Sequence, residues 1–258
     1  MTYCVAITVK DGLIFASDSR TNAGVDQIST FSKMYRFFGD GERMITVLTA
    51  GNLATSQAVM RQVRRDIEQG AAQNLKTMPH LAEIADYIGG LSLTAQQKHS
   101  SQKGDMFDAG ASFIVGGQIA GRVPQIFLVY PEGNHIRATA RTSYLQIGEL
   151  KYGKPILDRI VEPDLDLETA ARCAMVSMDS TLRSNLTVGP PLELLIYKIN
   201  SLDAGEHIVF EEDDVYLRNL RTSWHESLKK AFAALPRLSS PAHHAVVRLV
   251  DPLGDQSD

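Results

Sequence analysis

Cysteine is scarce in this chain: 258 residues carry two, Cys4 and Cys173, and neither belongs to a Cys-x-x-Cys pair. No disulfide framework is indicated, and both thiols read as small buried hydrophobes, Cys4 within a strand pattern and Cys173 within a helical one. Basic excess is missing too. Lysine and arginine total 26 against 30 acidic residues, a formal net charge of −4, which leaves no patch of the kind that binds nucleic acid. No apolar run approaches the ~20 residues that span a bilayer, and the first residues lack the basic and apolar regions of a signal peptide. The expected location is the cytoplasm, with no membrane association. No linker divides the sequence, so residues 1–250 are expected to form a single domain and residues 251–258 a polar tail.

Metal-ligating patterns are weak. Glu211-Glu212-Asp213-Asp214 is an acidic run, a feature that more often marks a solvated turn or helix start than a cation site. His243-His244 are adjacent rather than one helical turn apart. No metal and no other cofactor is expected.

What the chain does have is clear periodicity. Two apolar runs, 5–9 and 13–16, flank Asp11-Gly12, a hairpin turn signal, and a third strand pattern covers 44–50. Residues 56–68 and 81–93 carry apolar side chains at helical spacing (Val59, Val63, Ile67; Leu81, Ile84, Ala85, Ile88), with Pro79 just before the second helix. The polar stretch 96–105 reads as loop. Strands follow at 111–115 and 124–130, then a turn at 131–134 leading to 135–138, helices at 153–161 and 167–184, and a strand at 191–199. Further on, 223–235 is amphipathic, with Trp224, Leu228, Ala231, Phe232 and Leu235 on one stripe that should pack against the domain or a neighbouring subunit. Strands, two helices, strands, two helices, strand: this order predicts an α+β fold, a four-layer αββα sandwich of two antiparallel sheets flanked by helices.

The most informative chemistry lies at the start. If Met1 is removed, Thr2 stands at the head of an apolar strand with both a hydroxyl and a free α-amine. A threonine hydroxyl needs a partner that accepts a proton near neutral pH and passes it to a leaving amine. An α-amine suits that task, because its ordinary pKa of about 7.7–8.0 lies near physiological pH. Threonine is a common second residue, an aspartate in a turn is usually a turn former, and a lysine at a strand edge is usually a solvated head on an apolar stem. Thr2 followed by Asp18 at a strand end and Lys33 amid apolar neighbours is a combination those ordinary roles do not explain. A buried Lys33 ammonium would stabilise a developing alkoxide on Thr2, and Asp18 would hold that ammonium charged.

Thr2, the segment Ser17-Asp18-Ser19-Arg20-Thr21 and Lys33 resemble the proteasome-type N-terminal nucleophile hydrolases. The resemblance is closest to the bacterial Anbu family, the ancestral β subunits, whose members begin Met-Thr-Tyr-Cys as this chain does and whose signature is similar to residues 18–26. It covers nearly the whole chain and is strongest over 1–60. It implies that the strand, small-residue turn and helix at 44–54 place the Gly51 amide as an oxyanion hole. It also implies a threonine peptidase or amidohydrolase acting through a Thr2 acyl-enzyme on peptide or amide bonds. The same resemblance implies self-assembly into a closed or open helical ring, and neighbouring amide-bond-forming enzymes as partners. Two narrower readings stay open beside it: hydrolysis of a small amide or modified peptide, and a non-catalytic assembly subunit should Met1 be retained.

Two positions depart from the wider proteasome pattern. Glu149 stands after Gly148 where proteasome β subunits carry serine, so it is expected to hold the amine as an ammonium, to orient a substrate amine, or to point away from the site. The loop 184–191 offers Ser184, Asn185 and Thr187 in place of the family's aspartate and serine, which puts strong general peptidase activity in doubt.

Overall fold

The computed structural model describes residues 1–22, 28–39, 41–100 and 108–237. Strand β1 (Tyr3–Val9) turns through Lys10 and Asp11 into β2 (Gly12–Asp18), with Val9 opposite Gly12 and Cys4 opposite Ser17. Gly12 is thus already in the strand rather than in the turn. It lies so close to a neighbouring strand that a Cβ there would stand 1.9 Å from the Tyr197 carbonyl oxygen. A short ribbon, β3 (Arg20–Asn22) and β4 (Ile28–Thr30), leaves the end of β2 and leads back to β5 (Met34–Gly39) and β6 (Arg43–Gly51).

Helices α1 (Leu53–Glu68) and α2 (Leu81–Ser100) come next, followed by β7 (Ala111–Ile119), β8 (Gln125–Val129), β9 (His135–Arg137) and β10 (Tyr144–Gly148). Then come α3 (Lys154–Ile160), α4 (Leu167–Ser184), β11 (Leu192–Lys198), β12 (Glu206–Phe210) and α5 (Val215–Ala233). One sheet has the order β10-β1-β2-β11-β12, the other β5-β6-β7-β8-β9, and every pairing is antiparallel.

Both sheets are covered on both faces, which is why their central strands read as continuous apolar runs. Cys4, Ala6, Leu13, Phe15, Leu48 and Ile114 pack between the sheets. Alternate residues of the first sheet, Tyr3, Val5, Ile7, Ile14 and Ala16, face α3 and α4. Val47, Phe113, Val115 and Val129 of the second sheet face α1 and α2. This is the predicted αββα sandwich. Small residues on α4 (Ala170, Ala171, Cys173, Ala174) let that helix lie close on the first sheet, where the Tyr3 hydroxyl donates to Ser177 Oγ at 3.1 Å.

The differences from the sequence expectations have local causes. Helix α1 begins three residues earlier than its apolar spacing indicates, because Asn52 caps it by accepting from Thr55 N at 3.1 Å. Residues 96–100 continue α2 instead of forming loop. Gln96 supports that extension by donating to Ser92 Oγ at 3.0 Å and to the Pro131 carbonyl at 2.8 Å; residues 101–107 lie outside the described residues. The acidic run ends in Asp214, which caps α5 by accepting from Tyr216 N at 2.7 Å, and among the described residues no cluster of His, Cys, Asp or Glu is arranged to hold a metal. His243, His244 and the 251–258 tail lie outside the described residues. Among those residues no helix is long and apolar enough to cross a membrane.

Strand β12 and the first half of α5 carry no strong sequence signal. Helix α5 buries only Leu217 fully. The lower part of its predicted stripe does not pack on the domain: Leu228 is 48% exposed and Phe232 77%.

Candidate active site

Asp18 ends β2 with its side chain completely buried, and a buried carboxylate must collect partners. Its Oδ1 accepts from Lys33 Nζ at 2.7 Å and from the Tyr3 backbone N–H at 3.0 Å, while Oδ2 accepts from Gly189 N at 3.3 Å. Burial pushes the Asp18 carboxyl up from its ordinary value; the Lys33 ammonium and the two backbone amides oppose that push. Lys33 sits just before β5, 5% exposed, and its second donor reaches the Arg20 carbonyl at 2.6 Å. Two donors on one oxygen place the ammonium beside the Thr2–Tyr3 peptide.

Arg20 and Gly189 support this pair without having been singled out in the sequence. The Ser19 and Arg20 amides donate to the Gly189 carbonyl at 3.3 and 3.2 Å, and the Arg20 guanidinium donates to the Leu186 carbonyl at 3.1 Å. A Cβ on Gly189 would meet that guanidinium at 2.4 Å. Most of these contacts are made by main chain, so side-chain identity gives little warning of them.

Gly51 closes β6 beside the same site. The Thr49 amide, two residues earlier, donates to the Lys33 carbonyl at 3.0 Å, and the Cys4 thiol, two residues after Thr2, donates to the Thr49 carbonyl at 3.6 Å. The ends of β1, β2 and β6 and the entry to β5 therefore share one edge of the sandwich. At Gly51 φ is +96°, and a Cβ would stand 2.5 Å from the Gly110 carbonyl oxygen. Gly51→Ala is expected to cost about 1–3 kcal/mol of unfolding free energy, read as a lower urea midpoint at unchanged slope.

Thr2 is half-buried at this edge, and its carbonyl accepts from Glu149 N at 2.7 Å. Met1 is 63% exposed. Its α-amine is drawn below the ordinary value, first by partial burial and next by the Lys33 charge, with Asp18 and Glu149 opposing. Glu149 does not turn outward: it is buried, and its Oε2 accepts from Asn185 Nδ2 at 3.0 Å. Thr187 Oγ1 donates to Asn185 Oδ1 at 2.6 Å, within the loop, and Ser184 is exposed at the end of α4.

A sequence model of the family described as proteasome subunit matches residues 2–196. Among solved structures, Anbu (ancestral beta-subunit) from Yersinia bercovieri is 44% identical with a TM-score of 0.87, over 93% of this chain and 99% of that one. The helical assembly of the Anbu complex from Pseudomonas aeruginosa is 45% identical with a TM-score of 0.89, over 94% and 100%. The chain belongs to the Anbu branch of the proteasome family. A third Anbu structure, from Hyphomicrobium sp. strain MC1, is 41% identical with a TM-score of 0.83, over 93% and 100%. No curated protein matches the sequence.

Of the residues that the sequence marks as an Anbu site, the fold bonds Asp18 both to Lys33 and to the Tyr3 amide that follows Thr2, and sets Gly51 at the same edge. An ammonium held by a buried carboxylate beside a hydroxyl residue is the electrostatic setting in which an oxyanion is stabilised.

Proposed function

We propose that this chain hydrolyses peptide or amide bonds with Thr2 as the nucleophile once Met1 has been removed. The observation that carries the reading is the buried Asp18–Lys33 pair at 2.7 Å, sharing one carboxylate oxygen with the Tyr3 amide next to Thr2. In the first step the Thr2 α-amine takes the hydroxyl proton as Oγ attacks the substrate carbonyl carbon. Lys33 lowers the energy of the developing alkoxide, and the Gly51 amide binds the negative carbonyl oxygen. Collapse breaks the C–N bond, the proton goes from the α-ammonium to the leaving amine, and an ester joins Thr2 to the acyl group. Water, deprotonated by the same amine, then releases the acid.

Intact mass of the purified protein before and after exposure to a threonine-reactive β-lactone or epoxyketone tests this reading. Loss of Met1 and gain of one inhibitor mass, mapped to the N-terminal peptide, is the expected result. Retained Met1 and an unchanged mass would overturn it and leave the assembly-subunit reading, because a blocked amine has no basic lone pair.

Self-assembly belongs to the same proposal. A relative forms a helical assembly, and here Leu228 and Phe232 on α5 and Leu235 (59% exposed) just beyond it present apolar surface. Phe232→Glu is expected to shift the species seen by light scattering toward smaller particles while the circular dichroism spectrum stays the same.

A further inference from the structure

We propose that Glu149 is a positioning residue that holds the Thr2 α-amine and raises its affinity for a proton. The inference rests on the reading of Thr2 as an N-terminal nucleophile. Strands β1 and β10 pair with Tyr3 opposite Gly148, and the Glu149 amide donates to the Thr2 carbonyl at 2.7 Å. The register therefore continues one step, Thr2 opposite Glu149. Directly opposed residues on antiparallel strands project to the same face, with Cβ atoms about 4.5–5.5 Å apart. Gly148 allows this close pairing: its φ is +86°, and a Cβ would stand 2.0 Å from the Thr2 carbonyl oxygen.

The carboxylate is buried and fixed from behind. Asn185 Oδ1 accepts from both the amide and the hydroxyl of Thr187, at 3.0 and 2.6 Å, which turns Nδ2 toward Glu149 Oε2. Among the described residues Oε1 has only the Lys151 amide, at 3.3 Å. A carboxylate has about four acceptor positions, so capacity remains for an ammonium in front.

Three charged side chains act on the amino terminus: Asp18 from the end of β2, Lys33 from the entry to β5, and Glu149 from the end of β10. Even at Met1, one residue further out, the amine feels all three, Lys33 favouring the free base and the two carboxylates favouring the ammonium. The basicity of the Thr2 amine is accordingly set by burial and Lys33 on one side, which favour the free base, and by Asp18 and Glu149 on the other, which favour the ammonium. Replacing the Glu149 carboxylate by its neutral amide leaves Asp18 as the one carboxylate of the three charges favouring the ammonium, so the amine loses its proton at lower pH.

Competitive acetylation of the α-amine by trace acetic anhydride across pH, read by mass spectrometry on the N-terminal peptide of chain freed of Met1, measures this directly. In Glu149→Gln the midpoint is expected to fall by roughly one unit, a tenfold change in proton affinity. Asn185→Ala should move it the same way by less, and Glu149→Asp should restore part of the loss. An unchanged midpoint in folded Glu149→Gln overturns the inference. A shifted midpoint with no β-lactone adduct in the wild type leaves the inference standing and defeats the proposed hydrolysis. A chain that keeps Met1 even under methionine aminopeptidase overturns both.

Discussion

Thr2→Ala is expected to abolish covalent labelling by a β-lactone while the chain keeps its fold. The contacts that seat this end of β1 are main-chain ones: the Thr2 carbonyl takes the Glu149 amide, and the Tyr3 amide meets Asp18. None of them uses the threonine hydroxyl, so the stability change should stay within about 0.5 kcal/mol. Labelling needs the hydroxyl itself, and no other group described at this edge combines an oxygen nucleophile with its own amine. Intact mass spectrometry and a urea titration on the same sample check both halves of the statement. An adduct that survives Thr2→Ala would move the reactive residue elsewhere.

Lys33→Ala should produce the second large effect, and it should act on two quantities at once. Loss of the ammonium removes the charge that stabilises the Thr2 alkoxide, for an expected fall of roughly 10²–10⁴ in the labelling rate. It also strands the buried Asp18 carboxylate, which breaks a buried pair at an expected cost of about 3–5 kcal/mol. The double variant Asp18→Asn, Lys33→Met separates these effects by removing both charges. It is expected to regain most of the stability and none of the rate. Recovery of the rate in the double variant would show that Lys33 acts only by holding the fold.

The layered fold was legible because each element has the period its environment imposes. Strands β1 and β2 are apolar at nearly every position because helices cover one face and the second sheet the other. Helix α4 was bounded correctly, since Asp166 caps it and its small residues recur on one face. The end of α2 reads as loop because Gln96 and its neighbours are polar, although Gln96 finds its partners in the β8–β9 turn and in its own helix. Strand β12, an edge strand, buries only Phe210, leaves Glu206 and Val209 exposed, and lacks the unbroken apolar run that marks the inner strands.

The site divides along the same line. Asp18 and Lys33 could be paired in advance because a buried charge requires its opposite, whereas Gly51 was marked only by the family resemblance, its positive φ being visible in the fold alone. The support from the Arg20 carbonyl and the Gly189 amide could not, since every residue has those groups. Glu149 was visible as a departure from a pattern, but its direction was decided by Asn185, a residue 36 positions away.

Tyr3 has a consequence for how such a chain matures. Its amide is bound to Asp18, and its hydroxyl is bridged between Ser177 and Gln146, so β1 is moored at the first position after the threonine. Met1, whose removal the proposed hydrolysis requires, is 63% exposed and lies outside that mooring. On the proposed reading, trimming would act on the finished fold and move the amino-terminal charge one residue inward without rearranging β1, so that an aminopeptidase would meet its target already in place.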